Sequence, residues 1–182
     1  MSIITSDKFD ISTLSKDTQY VVDTNVLYFI HSGYKVSKHK STTYSNIVST
    51  ILNQGCKLII STLSVQELLH IIEKKEYRIF CDNNGKDPKH YTKKDFRQNL
   101  VERNKLKAKL QVVLCELSTY YSLDDAEITN VRINDFINAY EMHRLDVIDY
   151  FLIKNYDKEK TVFISDDKDF QSVSEINVLV AV

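Results

Sequence analysis

Two short apolar runs, Tyr20-Val21-Val22 and Leu58-Ile59-Ile60, each give way at once to residues with helical apolar spacing, and a third, Val162-Phe163-Ile164, ends in a cluster of acids. Brief buried runs bounded by polar residues read as central strands, and strands alternating with helices build a parallel sheet covered on both faces. The predicted fold class is therefore α/β, a three-layer α/β/α arrangement around a mainly parallel sheet of about four to five strands, with extra helices. Such a sheet directs its strand ends, and the first turns of the following helices, toward one crevice where ligands bind. Asp23 ends the first run, Glu67 lies just inside the helix after the second, Asp167 follows the third, and Asp146 sits in a helix-patterned stretch. Four carboxylates gathered at that edge would repel one another strongly unless a divalent cation neutralised them.

The rest of the chain fills in around these anchors. Ile47, Val48, Ile51 and Leu52 share one face of a helix over 44–53, with Gly55 as its stop. After the strand at 57–61, Ser64 and Glu67 fit an S-x-x-E capping box opening a helix that runs to about Phe80. Turn residues concentrate at 81–88, which reads as a loop, and a long charged helix is expected from Lys94 to about Ser122. Asp124 or Asp125 would cap a further helix carrying Ile133, Phe136, Ile137 and Tyr140; another bears Leu145, Ile148, Phe151 and Leu152, and strands follow at 161–165 and 178–182. With 182 residues, 43% hydrophobic, the chain suits one domain, 1–182. Only 3 glycines and 1 proline are present, which nearly excludes Gly-rich phosphate loops. No apolar stretch nears the roughly 18 to 20 residues of a membrane span, and the first ten residues lack a signal-peptide pattern, so a cytoplasmic protein is expected. Cys56, Cys81 and Cys115 form no CxxC pair and read as buried or half-buried thiols. His31, His39, His70, His90 and His143 form no ligand pattern and read as surface or structural residues.

A net charge of −1 conceals an uneven distribution. Residues 74–109 carry 12 Lys/Arg against 5 Asp/Glu, while residues 110–182 carry 6 against 14. A basic middle beside an acidic final third suits a protein whose acidic pocket holds metal while a basic flank holds a polyanion; a solvated helical face is the plainer alternative. Each acid also has a plain structural reading. Asp23 could be a helix N-cap, Glu67 a capping-box glutamate, and 165–169 a solvated acidic turn. Asp146 lies among Leu145, Val147 and Ile148, with Asp149 three residues on, where a charge is costly unless paired with Arg144 or Arg132 or bound to a cation.

Taken together, these residues resemble the PIN-domain nucleases, including toxin-type bacterial ribonucleases. The opening D-T-N-x-L matches Asp23-Thr24-Asn25-Val26-Leu27; the glutamate on the helix after the second strand matches Glu67 in Ser64-Val65-Gln66-Glu67-Leu68-Leu69. The D-A-L-I-like helix matches Asp146-Val147-Ile148, and the T-x-D-x-D-F ending matches Ser165-Asp166-Asp167-Lys168-Asp169-Phe170. The order and strand context agree over nearly the whole chain. Ser165 replaces the usual threonine, Val147 the small alanine, Asp149 stands where a small residue is common, and the basic loop-helix stretch at about 81–110 is longer than in compact toxin members. The resemblance implies Mg²⁺- or Mn²⁺-dependent hydrolysis of phosphodiester bonds in RNA, with Asp23 and Asp167 as principal ligands and Asp146 and Glu67 holding a second ion or its waters. It also implies Asn25, Asp149, Ser165 and Asp169 as orienting residues, with Asp169 an alternative ligand. Lys93, Lys94, Arg97, Arg103 and Lys105 would track the RNA backbone, with Tyr91 or Phe96 available to stack a base. An antitoxin and a second copy of the chain are the protein partners implied. The competing readings are a non-catalytic PIN-like RNA- or protein-binding module, a haloacid-dehalogenase-type phosphatase, which would need an aspartate where Asn25 stands, and a flap-type DNA nuclease.

Overall fold

The computed structural model describes residues 2–9, 14–124, 137, 145, 147–173 and 175–181. Six strands are found among these: β1 (Ser2–Thr5), β2 (Gln19–Val22), β3 (Leu58–Ser61), β4 (Ser122–Asp124), β5 (Thr161–Ile164) and β6 (Asn177–Val180). They form one sheet in the order β1-β6-β5-β2-β3-β4, and every neighbouring pair is parallel. Seven described helices accompany it: α1 (Thr24–His31), α2 (Lys38–Asn53), α3 (Thr62–Asn83), α4 (Lys93–Gln98), α5 (Leu100–Tyr120), α6 (Val147–Lys154) and α7 (Lys168–Ser172). The architecture is α/β, as the alternating apolar runs require.

Strand pleating sorts the sheet's side chains into two cores. Tyr20, Val22, Leu58, Ile60, Ile164 and Leu179 pack toward α1 to α5, against Leu27, Tyr44, Ile51, Leu68, Ile72, Phe96 and Leu117. The intervening Val21, Ile59, Phe163 and Val178 point the other way, toward Leu152 and Ile153 of α6 and Phe170 of α7. This is the three-layer arrangement, and it explains why the central strands read as continuous apolar runs: both faces are buried. Each fully buried aliphatic or aromatic side chain of this kind contributes about 1.5–3 kcal/mol of transfer free energy.

Six strands replace the expected four to five. β1 and β4 are the additions, both edge strands of four and three residues, ordered by pairing with β6 and β3 rather than by any run of their own. Asp124 lies in β4; Asp125 and nearly all of the helix that one of the two was expected to cap lie outside the described residues.

Capping chemistry accounts for the other differences. α2 begins at Lys38, earlier than its apolar spacing shows, because Ser37 Oγ accepts from Lys40 N–H at 3.4 Å. It ends where foreseen: Gly55 has φ 71°, and the Gly55 and Cys56 amides return to Leu52 and Ile51 carbonyls at 2.9 and 3.2 Å, a Schellman closure. The cap of α3 is Ser61, whose Oγ accepts from Ser64 N–H at 2.9 Å. Glu67 is therefore more than a turn into the helix and no part of a capping box. α3 also runs past Phe80 to Asn83, since Tyr77 and Cys81 continue its buried face, and stops at Gly85 (φ 59°), where Lys86 N–H reaches Cys81 O at 2.9 Å. The long helix expected from Lys94 is two, broken at Asn99, whose extended backbone ends α4 while its Oδ1 accepts from Val101 and Glu102 N–H at 3.1 and 3.3 Å to start α5. Cys56 and Cys81 are buried as expected, but Cys115 is exposed on α5. Among the described residues no helix is long and apolar enough to cross a membrane.

Candidate functional site

The order of the strands singles out one place on the sheet. From β2 the chain proceeds to β3 and β4 on one side, whereas β5 and β6 lie on the other, so the direction of winding reverses between β2 and β5. In open parallel sheets the crevice beyond the strand ends at such a reversal is where ligands bind. Asp23 follows β2 and Ser165-Asp166-Asp167 follow β5; the ladder continues into both, with Asp23 N–H on Ile164 O at 3.0 Å and Ser165 N–H on Leu179 O at 3.2 Å.

Asp23 is only 5% exposed. Its Oδ1 accepts from Thr24 N–H at 2.6 Å, and its Oδ2 accepts from Asn25 Nδ2 at 2.7 Å and from Ser165 Oγ at 2.7 Å. Asn25 Oδ1 accepts from Asp166 N–H at 3.1 Å, and Ser165 Oγ accepts from Asp167 N–H at 3.0 Å. Asn25 and Ser165 thus lace the β2 and β5 ends together through their side chains. Asp167 caps α7, its Oδ1 accepting from Asp169 N–H at 2.8 Å, while the Asp169 side chain stays exposed.

Every hydrogen-bond donor to Asp23 is neutral, and this decides its electrostatics. Burial pushes its carboxyl up to about 6; the bonds from Ser165 and Thr24 pull it down, and the negative charges of Glu67 and Asp167 push it up further. The Asp23 N-cap reading is therefore correct but incomplete, because capping alone would lower its pKa. The structure brings Asp23, Asp167 and Glu67 into one electrostatic neighbourhood. Glu67 lines a cleft with Leu63, Gln66, His70 and Ile148, the last from the first turn of α6, where Asp149 also sits. Asp146 lies outside the described residues.

The donor chemistry fits a hard divalent cation: all oxygens, with mutual repulsion that, among the described residues, no ammonium or guanidinium bonded to Asp23 relieves. Three donors already occupy about three of the four lone-pair directions of the Asp23 carboxylate, leaving one for a cation. As placed, no three acidic, histidine or cysteine side chains among the described residues stand close enough together to hold a metal ion.

The basic residues expected along RNA lie elsewhere. α5 runs antiparallel to α3: Leu117 shares an apolar pocket with Val65 near the sheet, and Lys109 pairs with Glu76 at 2.8 Å further out. At 1.5 Å of rise per residue, Glu73 and Glu76 stand about 9 and 13 Å beyond Glu67 along α3. Arg97 forks onto Glu73 at 2.5 and 2.6 Å, Lys105 pairs with Glu102 at 2.7 Å, and Lys93 lines a cleft with Lys74 and Arg78. Lys94 and Arg103 are exposed on the same hairpin. Phe96 is 1% exposed and packs against Tyr77 and Phe80, so it cannot stack a base; Tyr91 is half-buried. His31 is structural, buried between Glu116 and Tyr121 at 2.8 and 2.9 Å.

Sequence reasoning missed Lys40 and Tyr44, which hold Asp166 from α2. Their spacing of four, one turn of a helix with both side chains on one face, was the available signal.

No family model matches the chain, and no curated protein matches it in sequence. One solved structure that does match is the crystal structure of VapBC2 from Rickettsia felis bound to a DNA fragment from their promoter, with a TM-score of 0.50 and 17% identity over 90% of this chain and 98% of that one. The fold is PIN-like. Asp23, Asn25, Ser165 and Asp167 lie together at the carboxyl edge of this sheet.

Proposed function

We propose that this PIN-like protein is a divalent-metal-dependent endoribonuclease that hydrolyses phosphodiester bonds in RNA. The observation that carries the reading is Asp23: a buried carboxylate at the winding reversal, held by neutral donors and facing two further acids. Asp23, Glu67, Asp146 and Asp167 would hold Mg²⁺ or Mn²⁺. Bound there, the ion would supply Lewis-acid chemistry, neutralising charge on the phosphate and on the departing oxygen and acidifying an attacking water. The chain's own part is orientation. Ser165 and Asn25 fix both the position and the rotation of the Asp23 carboxylate, and Ser165 at the same time fixes the backbone that presents Asp167. Asp149 and Asp169 stand by as orienting residues or an additional ligand. Lys93, Lys94, Arg97, Arg103 and Lys105 would supply peripheral contacts to the RNA backbone on the outer hairpin. The VapBC2 likeness supports a toxin of a toxin–antitoxin pair, acting in the cytosol, with an antitoxin and a second copy of this chain as partners.

The test is cleavage of an end-labelled single-stranded RNA and a matched DNA with Mn²⁺, Mg²⁺ or EDTA, by the native chain and by Asp23→Asn and Asp167→Asn. Metal-dependent RNA cutting lost in both variants bears the proposal out. A native chain that binds neither ion by calorimetry overturns it in favour of a non-catalytic PIN-like module.

A further inference from the structure

Among the described residues, Lys40 is a cation that reaches the acidic edge of the sheet, although charge counting along the chain points to the outer hairpin. Lys40, in the first turn of α2, places its ammonium on Asp166 Oδ2, and Tyr44 donates to Asp166 Oδ1 at 3.0 Å. Asp166 passes its backbone N–H to Asn25, whose amide nitrogen is bonded to Asp23. The ammonium is thereby tethered to the same loop that carries Ser165 and Asp167. Tyr44 also accepts from Ala181 N–H at 3.1 Å, and its ring stacks on Phe29 at 6.0 Å, with Lys40 Nζ 5.6 Å from the Phe29 centroid. The ammonium therefore lies over the Phe29 ring, which is itself stacked on Tyr44.

Two features show that this pair does more than brace the loop. The Lys40 side chain is 40% exposed against 13% for Asp166, so the ammonium has an open side, and among the described residues one carboxylate engages one of its three N–H donors. The helix start is also basic: Lys35, Lys38 and His39 are exposed, and no acid stands in the first turn of α2. Opening turns ordinarily favour acids over bases. This stretch gives up that stabilisation and concentrates positive potential beside the carboxylates. A cleft lined by Ser6, Asp7, His39, Thr43 and Asn46 adjoins the same helix, with hydroxyl and amide groups and one acid, Asp7, in its wall.

We infer that Lys40 grips a phosphate of the RNA strand next to the one that is cut, so that the strand crosses the start of α2; this rests on the nuclease reading above. Asp166 is a positioning residue in this arrangement: both its oxygens are engaged by α2, and it aims the ammonium rather than holding metal.

The test is binding of a labelled single-stranded RNA in EDTA, followed by fluorescence anisotropy across a salt series, for the native chain, Lys40→Met and Lys40→Arg, with Mn²⁺-dependent cleavage kinetics and thermal unfolding of each. Lys40→Met should weaken binding about tenfold and flatten the slope of log K against log salt by about 0.7, the value for one single-strand phosphate contact. With Mn²⁺ it should raise KM while kcat holds, and Lys40→Arg should retain affinity and slope. Native affinity, slope and KM in Lys40→Met overturn the inference while leaving the nuclease reading intact. An equal loss in both variants, accompanied by a lowered Tm, overturns it by making Lys40 an internal prop. A native chain that neither binds nor cuts RNA sinks the nuclease reading itself.

Discussion

Asp23, at the end of β2, and Glu73, midway along α3, are carboxylates whose surroundings push them in opposite directions. The Arg97 guanidinium beside Glu73 holds its carboxyl below the ordinary range, as a bidentate pair should. Asp23 is driven up to about 6 by burial, and its acidic neighbours Glu67 and Asp167 add to the shift. Negative charge on the outer hairpin is matched by cations of the chain itself, as Lys109 matches Glu76. At the sheet edge the described donors to Asp23, from Thr24, Asn25 and Ser165, are neutral dipoles. An acid paired by a guanidinium and a buried acid held by neutral donors are therefore set apart by their surroundings, and the metal-dependent reading proposed above rests on the second.

The largest expected effect breaks that contrast outright. Asp23→Asn removes the central oxygen donor set, and metal-dependent cleavage should fall by more than the 10–100-fold that losing an outer-shell partner typically costs, roughly. Initial rates with end-labelled RNA measure it; a variant that keeps a tenth of native activity would show that Asp23 is a cap and nothing more.

The pH dependence of stability follows from the same residue. With a folded pKa of about 6 against an ordinary 3.8, the native state holds a proton that the unfolded chain has released between those pH values. Stability should therefore fall as pH rises from about 4 to about 6, by an order of about 3 kcal/mol in the absence of metal. Mn²⁺ at a hundred times its Kd should restore about 2.7 kcal/mol at pH 7 and much less near pH 4, where Asp23 is protonated. Urea unfolding across pH, with and without Mn²⁺, would read both effects, and Asp23→Asn should abolish the slope. A metal response that is equal at both pH values would place the ion elsewhere.

Ser165→Ala should come next. It removes the donor to Asp23 Oδ2 and the acceptor for Asp167 N–H together. Loss of an orienting partner of this kind costs about 10–100-fold in metal affinity or activity. Isothermal titration with Mn²⁺ would separate weaker binding from a misdirected site, and unchanged affinity with unchanged rate would remove Ser165 from the site.

How much of this was legible in the chain depends on which force sets each feature. Tyr20-Val21-Val22, Leu58-Ile59-Ile60 and Val162-Phe163-Ile164 declare themselves because strands buried on both faces have no polar alternation to hide in. Asp23 and Asp167 were legible as strand-end acids for the same reason. β1 and β4 were not, since an edge strand of three or four residues takes its shape from its neighbour's hydrogen bonds rather than from its own side chains. The break at Asn99 was obscured because the apolar spacing of Phe96 and Leu106 carries straight across it; only the side-chain cap of Asn99 on Val101 and Glu102 ends one helix and begins the next. Ser61, not Ser64, caps α3 because β3 ends there, a choice that the S-x-x-E spacing of Ser64 and Glu67 masks. Lys40 escaped notice because its importance lies in Asp166, a residue 126 positions away. The spacing of four between Lys40 and Tyr44 shows that they share a helix face, but nothing local names the partner that face meets.

The smallest effect sharpens the comparison from its other side. Arg97→Gln leaves Glu73 without its partner, but the arginine side chain is 53% exposed, so the pair is worth about 0.2–1 kcal/mol. Glu73→Gln should cost about the same, and the double variant should reveal a coupling no larger than either. Because Arg97 stands outside the carboxylate neighbourhood, kcat for RNA cleavage should hold while RNA affinity drops a few-fold at most, with a shallower salt dependence. If Arg97→Gln instead lowered kcat as far as Ser165→Ala does, the outer hairpin would have to reach the scissile phosphate. The division between a self-compensated hairpin and an uncompensated sheet edge would then fail.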